Sequence, residues 1–173
     1  MKGYSMIKPY LIYVGNLYPH KNISVLVAAA EILQIDVAII CARSVFADRL
    51  PKSRLVHFLG QVSDTELKKL LKNAIAFVFP SLIEGFGLPG LEAMSVGCPV
   101  IAARASCLPE IYGAAAIYFD PYNPSELANK INTLLNDSNL RREYIKRGIE
   151  QTKKYSWRKM AVQTWKIYQK ILP

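Results

Sequence analysis

Glu84 and Glu92 bracket a stretch that opens with Gly85 and Gly87, in the segment SLIEGFGLPGLEAM at residues 81–94. Glycines in a loop let backbone approach a ligand closely, because no side chain intervenes. Pro89 suits the first turn of a helix, so the amides of Gly85, Phe86, Gly87 and Leu88 are expected to be free at that helix's N-terminus. Such amides hold phosphate oxygens or sugar hydroxyls. A carboxylate accepts two hydrogen bonds from a vicinal diol, so Glu92 suits a ribose and Glu84 a hexose. Taken singly, each acid reads more simply as a helix-dipole partner or a loop acid. Taken together beside the amides, they point to a nucleotide-sugar site.

A second segment, GNLYPHKN at residues 15–22, offers a glycine turn at Gly15 and then Lys21 beside a helix start. It is neither G-x-G-x-x-G nor a P-loop, so neither dinucleotide nor ordinary nucleoside-triphosphate binding is signalled. A lysine at a helix N-terminus adds its charge to the helix dipole and can meet a phosphate. Alone, a surface lysine near a cap is the commoner reading.

These loops must be carried by elements. Apolar runs at 10–15, 36–42, 54–60, 74–79, 99–103 and 115–119 read as strands. Between them, 22–33, 64–72 (a capping box of Ser63 and Glu66) and 88–96 read as helices. Asn123, Pro124 and Glu126 open a helix over 124–136, followed by one over 139–154. In the last helix Trp157, Met160, Ala161, Thr164, Trp165, Tyr168, Ile171 and Leu172 share one face, opposite Arg158, Lys159, Lys166 and Lys170. Alternating strands and helices predict an α/β, Rossmann-like parallel sheet with helices on both faces. Ligands on such sheets sit beyond the carboxyl ends of the strands, where both candidate loops fall.

The 173 residues suffice for a single domain with its own core, and the hydrophobic fraction of 51% argues against disorder. No apolar run approaches the roughly 20 residues that span a bilayer, and the first residues lack a signal-peptide core. Cys41, Cys98 and Cys107 are odd in number and widely spaced, which favours reduced thiols in the cytoplasm. With only His20 and His57, a protein-bound zinc is not expected. The net charge of +9 is concentrated in residues 141–173, where ten Lys or Arg face Glu143 and Glu150. That block suits an acidic partner or a plain solvated helix surface. Nucleic-acid binding lacks interleaved surface aromatics, since Trp157 and Trp165 fall on the apolar face.

The segment FPSLIEGFGLPGLEAMSVGCPVIAA closely resembles the E-x7-E region of GT-B glycosyltransferases, specifically the retaining family-4 enzymes of the mannosyltransferase-like branch. YVGNLYPHKN, VHFLGQVSDTEL, CLPEIYGAAAIYFDP and YSWRKMAVQTWKIYQKI match that family in the same order, so the resemblance covers nearly the whole chain. It implies that Glu84 contacts the transferred sugar and Glu92 the ribose, with Gly85, Phe86, Gly87 and Leu88 giving amides to sugar and phosphate. It also implies that Lys21 meets the pyrophosphate, with Gly15 and Asn16 in the same loop, and that the base docks at Gly60, Gln61 and Val62. Glu84 and Lys21 would be the catalytic pair, the donor a GDP- or UDP-sugar, and no metal or other cofactor is implied.

Two departures stand out. The family commonly has an arginine where this chain has Asn16, so His20 or Arg43 would have to compensate. A GT-B enzyme also has two Rossmann-like domains, and residues 1–173 resemble only the carboxyl-terminal, donor-binding one. The implied partners are the donor, an amino-terminal GT-B domain and an anionic membrane surface, with the protein in the cytoplasm or peripheral at the inner membrane face. The alternative is a non-catalytic nucleotide-sugar binding or regulatory module, for which Asn16 argues; activity on adding the amino-terminal half separates the two.

Overall fold

Apolar strands joined through helices can satisfy their backbones and bury both faces only as a parallel sheet. The computed structural model describes residues 9–42 and 46–171, and its six strands are all parallel, in the order β3-β2-β1-β4-β5-β6. They are β1 (Tyr10–Val14), β2 (Asp36–Ile40), β3 (Val56–Phe58), β4 (Phe77–Phe79), β5 (Val100–Ala103) and β6 (Ala116–Phe119). The helices are α1 (Ile23–Leu33), α2 (Asp64–Asn73), α3 (Leu88–Ser95), α4 (Leu108–Tyr112), α5 (Pro124–Asn136), α6 (Ser138–Thr152) and α7 (Trp157–Ile171). Arg43 and Leu172, both named in the sequence reading, lie outside the described residues.

The winding reverses between β1 and β4, which meet at Ile12 and Phe77. Right-handed crossovers then place α1 on one face and α2, α3 and α4 on the other. Helix α5 docks on α1 and α6 on α3, so the central strands are buried from both sides. The reversal opens a crevice at the carboxyl ends of β1 and β4. The loops that leave those two strands carry Gly15 to Lys21 and Glu84 to Leu88.

Local signals placed most boundaries. Ser63 accepts a hydrogen bond from the Glu66 amide at 3.3 Å, and Asn123 does the same for Glu126 at 2.9 Å, fixing the starts of α2 and α5. Strand β4 is shorter than the apolar run 74–79, because Ala74 gives its N–H to the Leu70 and Leu71 carbonyls and so finishes α2. Strand β3 is a short edge strand, half-exposed. Helix α4 was not foreseen: its five residues are too few to show a helical period.

The end of the chain differs most from a packed domain. No residue of α7 is buried; Trp157 is 69% exposed, Trp165 57% and Ile171 73%. Its apolar face is therefore not part of this core. No helix among the described residues is long and apolar enough to cross a membrane.

Candidate functional site

In the loop after β1, the Gly15 amide bonds to the Ile40 carbonyl (3.1 Å), carrying the β1–β2 seam into the turn. Gly15 has φ +147°, which favours glycine. Asn16 uses its side chain locally, its Oδ1 accepting from the Tyr18 amide at 3.3 Å. A single 3-10 turn, Pro19–Lys21, follows, and Asn22 with φ 53° leads into α1. Lys21 thus ends this turn instead of standing on the helix itself.

The loop after β4 lies directly against the first one. The Leu82 amide bonds to the His20 carbonyl at 2.8 Å. Lys21 Nζ then reaches Glu84 Oε1 at 2.6 Å, with side chains only 14% and 12% exposed. The Phe79 ring lies 5.8 Å from the same ammonium. The sequence reading gave Lys21 to pyrophosphate and Glu84 to sugar as separate partners; the structure brings the two side chains into one ion pair. An anion that takes Lys21 must compete with Glu84 for it.

Gly87 (φ +88°) is the N-cap of α3, and Pro89 sits in the first turn as expected. Among the described residues, no carbonyl or side chain takes the amides of Gly85, Phe86, Gly87 or Leu88. They form an open N-terminus beside the Lys21–Glu84 pair. Glu92 stands exposed on α3; among the described residues its carboxylate has no partner, and its carbonyl accepts from Ser95 Oγ at 2.7 Å. Phe86 turns its ring edge-on to Tyr155 (centroids 5.4 Å apart), which seats the loop on the segment between α6 and α7.

Gln61 and Val62 do not touch the ion pair. They line a neighbouring cleft of about 360 Å³ together with Val14, Gly15, Cys41 and Gly60. Gly15, in the loop that also carries Lys21, is thus part of this cleft. Burial pushes the Cys41 thiol up, so it stays protonated at neutral pH. Among the described residues, no group of three or more His, Cys, Asp or Glu could hold a metal ion.

Sequence reasoning missed the residues that hold Glu84 from behind. Ser106, in the left-handed region at φ 53°, accepts from the Glu84 amide (3.2 Å) and returns its hydroxyl to the Glu84 carbonyl (2.9 Å). Cys107 Sγ adds a contact to the same carbonyl at 3.3 Å. Tyr112 donates to the Gly87 carbonyl at 2.6 Å. Pro109 and Glu110 in a first turn, with Gly113 just past the last one, were the available signals for the short helix that carries Tyr112 and follows Ser106 and Cys107.

A parallel sheet wound both ways from β1 and β4, with a cation and free amides over the reversal, is a Rossmann-like α/β architecture. The family model for glycosyl transferases group 1 matches residues 5–151, and this chain belongs to that family. O-antigen chain mannosyltransferase B of Escherichia coli is 34% identical over 172 residues, spanning 92% of this chain and 45% of that protein. Sucrose-phosphate synthase from Thermosynechococcus elongatus superposes with a TM-score of 0.82 at 28% identity, over 94% of this chain and 45% of that one. The Anabaena protein HepE, solved with UDP and glucose, superposes with a TM-score of 0.80 at 22% identity, over 94% of this chain and 48% of that one. The fold is that of GT-B glycosyltransferases, and the chain spans about half the length of these relatives.

Proposed function

We propose that this chain is the donor-binding, carboxyl-terminal half of a retaining family-4 glycosyltransferase. It would move a mannose-like hexose from GDP or UDP to a glycan or lipid-linked acceptor. The observation that carries this reading is the Lys21–Glu84 pair set beside the unpaired amides of Gly85 to Leu88. As the glycosidic bond to phosphate breaks, negative charge grows on the diphosphate. Lys21 and the amides are placed to stabilise it, and a preorganised site does so without reorganising water. Glu84, released from Lys21 as the diphosphate takes the ammonium, would hold a hexose hydroxyl. Glu92 would take the ribose diol and the Gln61–Val62 cleft the base. No metal is needed in this scheme, since Lys21 and the helix N-terminus supply the positive charge.

Calorimetry with a panel of GDP- and UDP-sugars tests the donor assignment, and one base should bind. Glu92→Gln should weaken that nucleotide by about 1–3 kcal/mol, as expected for degrading a charged hydrogen-bond site. A 2′-deoxy nucleotide should then lose little more, because both changes remove the same contact. Additive losses would count against Glu92 as the ribose ligand. Activity should require the amino-terminal half, added as a separate chain or joined in one.

The relatives' greater length and the exposure of α7 support an amino-terminal GT-B domain as partner of that helix. The basic residues at the α6–α7 junction, Lys153, Lys154, Arg158 and Lys159, would face an anionic membrane at its cytoplasmic surface. Liposome sedimentation should show salt-sensitive binding to anionic but not neutral vesicles, reduced by charge reversal at those four residues. Equal recovery of the protein in the supernatant with both vesicles would remove the membrane from this scheme.

A further inference from the structure

Three tyrosines are wholly buried among the described residues: Tyr10, Tyr13 and Tyr112. Each spends its hydroxyl on a main-chain carbonyl. Tyr10 bonds Leu70 on α2, remote from the site, at 2.7 Å. Tyr13 bonds Asn16, the corner of the first loop, at 2.7 Å. Tyr112 bonds Gly87, the corner of the second, at 2.6 Å. The last two also occupy the space beneath loop glycines. A Cβ on Gly15 would meet the Tyr13 hydroxyl at 2.8 Å, and one on Gly87 would meet the Tyr112 hydroxyl at 2.5 Å.

A trans peptide is planar, and its C=O and N–H point in opposite directions. A hydroxyl that draws the Gly87 carbonyl inward therefore turns the Leu88 N–H outward. The Gly90 amide reinforces this by bonding the same carbonyl at 3.1 Å. The same rule applies at Asn16 and the Leu17 N–H. Glu84 lies close to both phenols: burial raises their pKa values, and its carboxylate raises them further, so both remain protonated donors.

We propose that Tyr13 and Tyr112 are positioning residues for donor binding, their hydroxyls fixing the two loop carbonyls inward so that the Leu17 and Leu88 amides face the ligand. This rests on the donor reading above. Neither tyrosine would touch the donor, and neither would transfer a proton.

The test is a set of three hydroxyl deletions: Tyr13→Phe, Tyr112→Phe and, as control, Tyr10→Phe. All three remove one hydrogen bond of a buried tyrosine and leave the ring, so their urea midpoints should all fall. Calorimetry with GDP and UDP should separate them. Tyr13→Phe and Tyr112→Phe should each weaken the nucleotide roughly fivefold, about what one hydrogen bond is worth, while Tyr10→Phe leaves it unchanged. Equal affinity in all three variants overturns the proposal. Nuclear-spin relaxation of the Leu17 and Leu88 amides without ligand gives a second reading. Added microsecond-to-millisecond motion in the two loop variants but not in Tyr10→Phe supports the proposal, and unchanged relaxation overturns it. Wild-type protein that binds neither nucleotide would defeat the donor reading alone, and the relaxation data would still decide the tyrosines' hold on the loops.

Discussion

Glu84→Gln should lower turnover at saturating donor by roughly a hundredfold or more, the scale of losing a substrate-orienting contact, while nucleoside diphosphate binds at least as tightly as before. The sign of the binding change follows from the ion pair. Lys21 Nζ sits 2.6 Å from Glu84 Oε1, and both side chains are largely shielded from water. A diphosphate must draw the ammonium away from that carboxylate and then lie beside the carboxylate's charge. Neutralising Glu84 removes both costs. Lys21→Met should do the reverse, because it deletes the attracting charge and leaves Glu84 unpaired facing the diphosphate. The double variant Lys21→Met, Glu84→Gln should therefore bind GDP or UDP more tightly than Lys21→Met alone. Such non-additivity is what a double-mutant cycle reports for residues in contact. If Glu84→Gln loses nucleotide affinity yet transfers sugar normally at saturation, the division of labour between the two residues is wrong.

Much of this arrangement was legible in the residues, and the gaps have physical causes. The buried strands announced themselves as apolar runs, because a strand covered on both faces has no polar side to interrupt it. The starts of α2 and α5 were readable because Ser63 and Asn123 carry their capping chemistry in the side chain. Gly87 and Pro89 likewise marked the open end of α3. The contact between Lys21 and Glu84 was not readable: they are 63 residues apart, and only the pairing of β1 with β4 brings their loops together. Ser106 and Tyr112 were missed for a related reason. Their role is to hold main-chain atoms of another loop, and a hydroxyl aimed at a carbonyl leaves no spacing pattern in sequence. The apolar face of α7 was legible as a pattern, but a pattern does not say what lies opposite, and among the described residues nothing buries it.

The strictest geometric demand falls on Gly87. Its φ of +88° is costly for any residue with a Cβ, by about 1–2 kcal/mol. A Cβ there would also lie 2.5 Å from the Tyr112 hydroxyl and 2.9 Å from Leu108 Cδ2, both in buried residues. Overpacking of that kind adds about 1–3 kcal/mol. Gly87→Ala should therefore destabilise the chain by about 2–5 kcal/mol and weaken nucleotide binding, since the α3 N-terminus must shift to make room. Gly85 supplies the comparison within the same loop. It has no positive φ, and a Cβ would meet nothing within 4 Å, so Gly85→Ala should cost less than about 1 kcal/mol. Adding Tyr112→Phe to Gly87→Ala separates the two components of the larger cost. Removing the hydroxyl opens the space and should recover part of the lost stability, although Tyr112→Phe alone is destabilising. The backbone component should persist, because the φ requirement is unchanged. Urea denaturation of the four variants measures each component. Equal stability of Gly87→Ala and Gly85→Ala would mean that α4 does not press on the loop, and the buttress behind Glu84 would lose its physical basis.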